Sequence, residues 1–208
     1  LLDFPGKVAC TLFLGGCNFR CPFCHNASLV EMTDQPHPAI DPEEMMAFLK
    51  KRQGILEGVC LTGGEPLLEK NLASLIKDIK ELGYQVKLDT NGSFPKLLKD
   101  LVDQELVDYV AMDIKNALPY YGETIGVPGF DTKVIEESVA FLKQAKLPYE
   151  FRTTVVKEFH HLERLKTIAE WIEGVPNYYL QNYEESDQVL SPGLSAYGKE
   201  TLESFAQD

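Results

Sequence analysis

No apolar run in these 208 residues approaches the roughly 20 that a membrane-crossing helix needs, so no membrane partner is expected. The run from Val8 to Leu14 is too short, and a cysteine-rich loop follows it, so it does not read as a secretory leader either. Basic residues are scarce: 20 Lys and Arg stand against 32 Asp and Glu, a formal net charge of −12. Phosphate backbones are bound by clustered Lys and Arg, so nucleic acid is not expected as a partner. Repeats, low-complexity tracts and linker-like stretches are missing too. One domain over 1–208 is therefore expected, with about 184–208 as a C-terminal extension carrying a helix. The chain starts at Leu1 rather than Met, which leaves room for a short preceding piece. A cytoplasmic location is expected.

Cysteine is sparse but unevenly placed. Of five, Cys17, Cys21 and Cys24 crowd into eight residues, while Cys10 and Cys60 stand apart in apolar runs and read as small buried hydrophobes. A disulfide framework would spread its cysteines through a shorter, secreted chain. Clustered thiols point instead to metal binding or redox chemistry.

What the sequence does have is alternation. Short apolar, β-branched or aromatic runs at Ala9–Leu14, Val59–Thr62, Gln85–Asp89, Tyr109–Ile114, Glu150–Val156 and Tyr178–Asn182 read as strands buried on both faces. Amphipathic stretches lie between them. One is capped by Asp41, with Pro42 in its first turn, and runs to about Gln53; others cover about Leu72–Leu82, a stretch from Pro95, a stretch after Thr132 to about Ala145, Leu162–Glu173 and Lys199–Ala206. Repeated βα units predict an α/β fold with a parallel sheet. A closed eight-unit barrel needs about 250 residues, so six units predict a partial (βα)6 barrel, open on one side. A doubly wound open sheet is the alternative. Either fold places ligands at the C-terminal ends of the strands.

The first strand runs into Gly15-Gly16-Cys17-Asn18-Phe19-Arg20-Cys21-Pro22-Phe23-Cys24-His25-Asn26, a CxxxCxxC spacing. Close thiolates in one loop can wrap one compact metal centre, and Arg20 can help to offset their charge. Three are too few for an electron-transfer cluster, which takes four Cys, but would hold a [4Fe–4S] cubane with one iron left open. A structural zinc would want a fourth ligand. His25 is poorly placed to join Cys24, and His37, His160 and His161 lack ligand-like spacing. Three unliganded thiols, the blandest alternative, would oxidise readily.

Other strand ends carry polar groups. Thr62-Gly63-Gly64-Glu65-Pro66 offers a backbone-exposing turn beside a carboxylate able to accept from an ammonium group; alone it could be a plain βα turn. Asp89, Thr90 and Asn91 end the third strand. Asp113 and Lys115 alternate with Met112 and Ile114 and so point the same way; a rim salt bridge is the simpler reading. Arg152 alone could be a surface residue. The long stretch Asn116–Asp131 reads as a lid facing a partner, or as a solvated connection.

The cysteine loop resembles the CxxxCxφC signature of the radical S-adenosylmethionine (SAM) superfamily, with Phe23 at the aromatic position. CNFRCPFCHN and the lead-in Leu2-Asp3-Phe4-Pro5-Gly6-Lys7 are similar to the activating enzymes of glycyl-radical enzymes, most of all to activating proteins of anaerobic ribonucleoside-triphosphate reductases. The resemblance runs through about Asn182. It implies a [4Fe–4S] cluster on Cys17, Cys21 and Cys24 and SAM as cofactor. It implies Gly63, Gly64 and Glu65 at the SAM amino group, Lys115 at its carboxylate, and Phe23 and Asn26 near adenine and cluster. Asp89, Thr90 and Asp113 are implied around a monovalent cation, and Arg152 in the active site. The pyruvate formate-lyase relative has a His for the ribose near the sixth strand; this chain has none there, and Gln181 is the expected replacement. The implied reaction is reductive cleavage of SAM to a 5′-deoxyadenosyl radical, which generates a glycyl radical on a partner enzyme under anaerobic conditions. A reduced flavodoxin or ferredoxin is the implied electron donor. The alternatives are a radical SAM enzyme acting on a small molecule such as a deazapurine precursor, an iron–sulfur electron carrier, and a zinc-stabilised binding module.

Overall fold

The computed structural model describes residues 3–31 and 40–207; Leu2 of the lead-in and His37 lie outside them. Six strands form one sheet: β1 (Ala9–Leu14), β2 (Gly58–Gly63), β3 (Gln85–Thr90), β4 (Tyr109–Asp113), β5 (Tyr149–Val155) and β6 (Tyr178–Asn182). Their order is β1 to β6, and every neighbouring pair is parallel. β1 and β6 each pair on one side only, so the sheet is a (βα)6 barrel left open. A doubly wound sheet would reverse its strand order part-way; this one does not.

Among the described residues eight α-helices accompany the strands: α1 (Ala27–Glu31), α2 (Pro42–Lys51), α3 (Leu72–Glu81), α4 (Pro95–Asp103), α5 (Tyr121–Thr124), α6 (Lys133–Gln144), α7 (Leu162–Trp171) and α8 (Lys199–Phe205). The start of α2 is as predicted: Asp41 accepts from the Glu43 amide at 2.7 Å, and Pro42 needs no partner in the first turn. The short α1 and α5 were not anticipated, because neither offers a long apolar period.

Strand side chains alternate between two faces. The outer face is the core: Val59, Leu61, Val86, Leu88, Val110, Met112, Phe151 and Val155 are all fully buried. They pack with Leu49 of α2, Ile76 and Ile79 of α3, Leu98 of α4, Ile135 and Leu142 of α6 and Ile168 of α7. The inner face corrects the expectation of strands apolar on both sides. Register places Cys60 beside Lys87 and Lys87 beside Tyr109, then Asp113 beside Arg152 and Arg152 beside Tyr179. The barrel interior is thus lined with charge, which must be paired there.

The lead-in closes the bottom of the barrel. Phe4 is buried against Tyr109, with ring centroids 6.0 Å apart, and Asp3 accepts from the Thr11 hydroxyl at 2.7 Å. The stretch Asn116–Asp131 is not the lid expected of it. It folds through α5 and buries Asn116, Ala117, Tyr121, Thr124 and Ile125. No helix among the described residues is long and apolar enough to cross a membrane.

Candidate functional site

The cysteine loop leaves β1 and is held on every side by main-chain contacts. Gly16 donates to Leu29 O of α1 at 2.7 Å and accepts from the Glu65 amide at 2.8 Å. Arg20 N donates to Ile125 O at 2.8 Å, so the 116–131 stretch supports the loop from outside; Phe130 meets Phe19 edge-on at 5.2 Å. The C-terminal extension straps the far side: Ser191 N donates to Pro22 O at 2.8 Å and Leu190 N to Cys24 O at 3.1 Å. The His25 ring meets Glu184 O at 2.5 Å, so this His ties the loop to the strap. Arg20 uses its guanidinium on the Cys17 and Phe19 carbonyls, at 2.6 and 2.8 Å.

Above the strand ends lies a cavity of about 260 Å³. Cys17, Cys21 and Cys24 line it together with Phe23, Asn26, Gly63, Gly64, Asp89, Asp113, Lys115, Arg152 and Gln181. Every site residue expected from sequence is there except Glu65. Asn26 donates to Gly63 O at 3.1 Å, which fixes the loop to the β2 end. Gln181 is exposed at the rim.

Glu65 sits behind the wall, fully buried. One carboxylate oxygen accepts from the Leu67 amide at 3.0 Å and the Thr90 hydroxyl at 2.8 Å; the other accepts from the Asn91 amide at 2.7 Å. It clamps the end of β2 to the end of β3, and the glycines rather than the carboxylate face the cavity. Burial raises its pKa from the ordinary 4.5 to about 7, against the pull of those three donors. The folded state therefore holds its proton more tightly than the unfolded chain, so stability from this group is full below about 4.5 and lost as pH rises through about 7. The melting temperature is expected to fall between pH 5 and 8, and Glu65→Gln to flatten that slope, as scanning calorimetry across pH would read.

The glycines serve close approach. Gly63 has φ 126°, and a Cβ at Gly64 would lie 2.6 Å from Gly16 C and 3.2 Å from Cys17 Cβ. The Gly-Gly pair lets the β2 end touch the cysteine loop main chain.

Below the cavity, charges form a chain. Lys87, almost fully buried, pairs with one oxygen of Asp89, and Arg152 meets the other at 3.2 Å. The same guanidinium reaches one oxygen of Asp113 at 3.1 Å, and Lys115 takes the other at 2.9 Å. Glu150 lies 3.9 Å from Arg152 and accepts from the Tyr109 hydroxyl at 2.7 Å. Burial alone would raise the Asp113 carboxyl, but Lys115 and Arg152 overcome it and hold it at about 2. Burial likewise disfavours the Lys115 ammonium, yet Asp113 and Cys21 raise its pKa above the ordinary lysine value. Asp113 and Lys115 do point the same way. The monovalent cation finds a different environment from the one expected: every carboxylate oxygen of Asp89 and Asp113 already meets a Lys or Arg, and the Thr90 hydroxyl serves Glu65.

Arg152 is the hub, so Arg152→Met strands Asp89, Asp113 and Glu150 with fewer partners. Removing one member of a buried ion pair costs about 3 kcal/mol or more. Chemical denaturation of the variant is expected to show a loss of that size.

The strand alternation that exposes Lys87 and Glu150 to the interior was present in Lys87-Leu88-Asp89 and Glu150-Phe151-Arg152 but passed over. Two further groups were missed. Asn18, Asn91 and Ser93 join through contacts of 2.9 and 3.0 Å beside Cys17. His160, which has no ligand-like spacing in the sequence, is fully buried and lies 2.7 Å from Lys115 O. His161 is the N-cap residue of α7.

The donor set can be tested against a metal group. Among the described residues no three His, Cys, Asp or Glu side chains converge on a single ion. The three cysteines line one cavity, and three thiols without a fourth protein ligand are the donor set of a cluster that keeps one open iron. Burial raises the Cys17 thiol and pushes Cys21 up to about 12, so both need a metal to become thiolates near neutral pH. A cationic group, Lys115, waits beside the cavity, and two N–H donors approach the Cys17 sulfur: Phe19 at 3.4 Å and Asn91 at 4.0 Å.

The family model of the radical SAM superfamily matches residues 11–172. The chain belongs to the radical SAM superfamily. As a radical SAM protein it falls among relatives of several activities. A Methanocaldococcus jannaschii protein provisionally named a glycyl-radical enzyme activating enzyme is 29% identical over 190 residues, 89% of this chain and 77% of the relative. The pyruvate formate-lyase-activating enzyme of Clostridium pasteurianum is 26% identical over 98% of this chain and 94% of its own length. The 7-carboxy-7-deazaguanine synthase of Methanopyrus kandleri is 33% identical over 90% of this chain and 78% of its own. Among solved structures, Streptococcus suis SuiB bound to S-adenosylmethionine shares the fold, with TM-score 0.76 at 15% identity over the whole of this chain. The chain spans 47% of SuiB. The family implies a [4Fe–4S] cluster and SAM, and the three cysteines lining the cavity are the donors such a cluster would need.

Proposed function

We propose that this radical SAM enzyme is an activase that generates a glycyl radical on a partner enzyme, with anaerobic ribonucleoside-triphosphate reductase as the first candidate partner. The observation that carries this reading is the end-to-end likeness to the activating enzyme of Clostridium pasteurianum, which leaves almost no part of either chain unmatched.

In this reading Cys17, Cys21 and Cys24 would hold a [4Fe–4S] cluster. That group would supply the one electron for reductive cleavage of SAM, and the radical chemistry so released would be directed at a glycine of the partner. The residues orient and shield. Lys115 meets the SAM carboxylate, held in place by Asp113. Gly63 and Gly64 present main chain to the amino group, with Glu65 bracing them from behind. Phe23, Asn26 and Gln181 border the adenosine, and Arg152 holds the cavity floor together with Asp89. The unpaired edges of β1 and β6 leave a side through which a protein loop can enter. A reduced flavodoxin or ferredoxin is the proposed electron donor, and no additional cation is included because its acidic oxygens are already paired.

The Methanopyrus kandleri relative favours a second reading, a radical SAM enzyme acting on a deazapurine precursor. One experiment separates them. Reconstituted enzyme, SAM, a one-electron reductant and the candidate reductase are mixed anaerobically. The activase reading expects 5′-deoxyadenosine and a glycyl-radical signal in the electron paramagnetic resonance spectrum, both dependent on the partner. Product that depends on a deazapurine precursor, with no glycyl signal, would establish the second reading instead.

A further inference from the structure

We propose that His160 is a positioning residue that holds the main chain of Lys115, and through it the cationic end of the cavity. This rests on the role given to Lys115 above.

Past β4 the chain leaves the sheet, and its peptide groups are caught by side chains. Thr153 Oγ1 donates to Ile114 O at 2.7 Å, and Lys115 N donates to the Tyr121 hydroxyl at 3.3 Å. The Lys115 carbonyl falls to His160, whose Nε2 lies 2.7 Å away. The imidazole is fully buried, so this bond is shielded from water. Its other nitrogen, Nδ1, lies 3.1 Å from the Val156 amide nitrogen and 3.3 Å from the Val156 carbonyl oxygen; the Lys115 carbonyl can only accept, so the shorter 2.7 Å contact puts the proton on Nε2 and leaves Nδ1 to accept from the Val156 amide. Burial keeps the ring neutral by lowering its pKa. The ring also stands edge-on to Phe23, centroids 6.1 Å apart. One side chain thus couples the peptide of Lys115 to the cysteine loop and to the turn after β5. With its carbonyl unbound, the peptide after Lys115 could rotate, and the ammonium would lose the backbone position that, with Asp113, fixes it over the cavity.

Two substitutions divide the contacts. Glutamine places an amide nitrogen near the position of Nε2, so His160→Gln keeps the donor to Lys115 O. Asparagine is shorter, so His160→Asn keeps a partner for Val156 N and abandons Lys115. SAM affinity is measured anaerobically on reconstituted protein, with iron per chain and thermal unfolding read in parallel. His160→Asn is expected to bind SAM about tenfold more weakly at unchanged iron content, the scale of one lost buried hydrogen bond. His160→Gln is expected within about threefold of wild type, since it retains that bond. Equal SAM affinity in the two variants overturns the proposal. Lys115→Met separates the two claims: if it weakens SAM and His160→Asn does not, only the His160 proposal fails; if it leaves SAM affinity unchanged, the role of Lys115 fails and the proposal with it. Should the variants not fold, nitrogen-15 NMR of the wild-type imidazole decides, with a proton on Nε2 expected and a proton on Nδ1 contradicting the geometry.

Discussion

Cys21→Ala is expected to reduce iron after anaerobic reconstitution from about four per chain to near background. Cys21 is the most buried of the three thiols, and its loss leaves two ligands on opposite parts of the loop. A cubane held by two thiolates has two open irons and dissociates. The substitution itself is gentle. Main-chain bonds to Leu29, Ile125, Leu190 and Ser191 hold the loop without any help from the cysteine side chains. Unfolding should therefore shift little while iron is lost, and the pairing of those two readings is the point of the experiment. A variant that still carried a full cluster would remove Cys21 from the ligand set.

Gly64→Ala is expected to be nearly as damaging, although Gly64 is not itself a ligand. The added methyl would fall well inside contact distance of Gly16 O and 2.6 Å from Gly16 C, both main-chain atoms. Neither can turn aside as a side chain could. The cysteine loop must move outward, which breaks the 2.8 Å bond from Glu65 N to Gly16 O and displaces Cys17 next to it. Overpacking of this kind costs about 3 kcal/mol. If the strain is relieved at the loop, cluster affinity falls by roughly a hundredfold. Iron titration of the reconstituted variant checks this. Wild-type iron content would show that the β2 turn does not seat the loop.

Much of this was legible in the sequence. The bounds of β1 and β6 fall where the apolar runs predict them, and the CxxxCxxC spacing brings three sulfurs to one cavity. The period of two carried Asp113 and Lys115 to the same side because strand geometry admits little else. What stayed hidden depends on neighbours distant in sequence. The motif places a carboxylate at Glu65, but whether it faces a ligand or the amide of Asn91 is decided by how β3 ends, 26 positions on. His160 had no local pattern; its partner, the Lys115 carbonyl, lies 45 positions earlier and carries no side-chain signal. The 116–131 stretch was misread for a different reason. Its length suggested a functional loop, while the apolar Tyr121, Ile125 and Phe130 pack it against the rest of the fold.

The open iron is the claim on which the chemistry depends, and the spectrum of the reduced cluster tests it directly. Wild-type protein is reconstituted anaerobically, reduced, and examined by electron paramagnetic resonance with and without SAM, using SAM labelled with nitrogen-15 or oxygen-17 to detect coupling to the cluster. A [4Fe–4S] signal that changes on SAM addition and couples to the labelled amino or carboxylate group is the predicted result. A cluster whose signal is indifferent to SAM, or protein that takes up a single zinc and no iron, would contradict it.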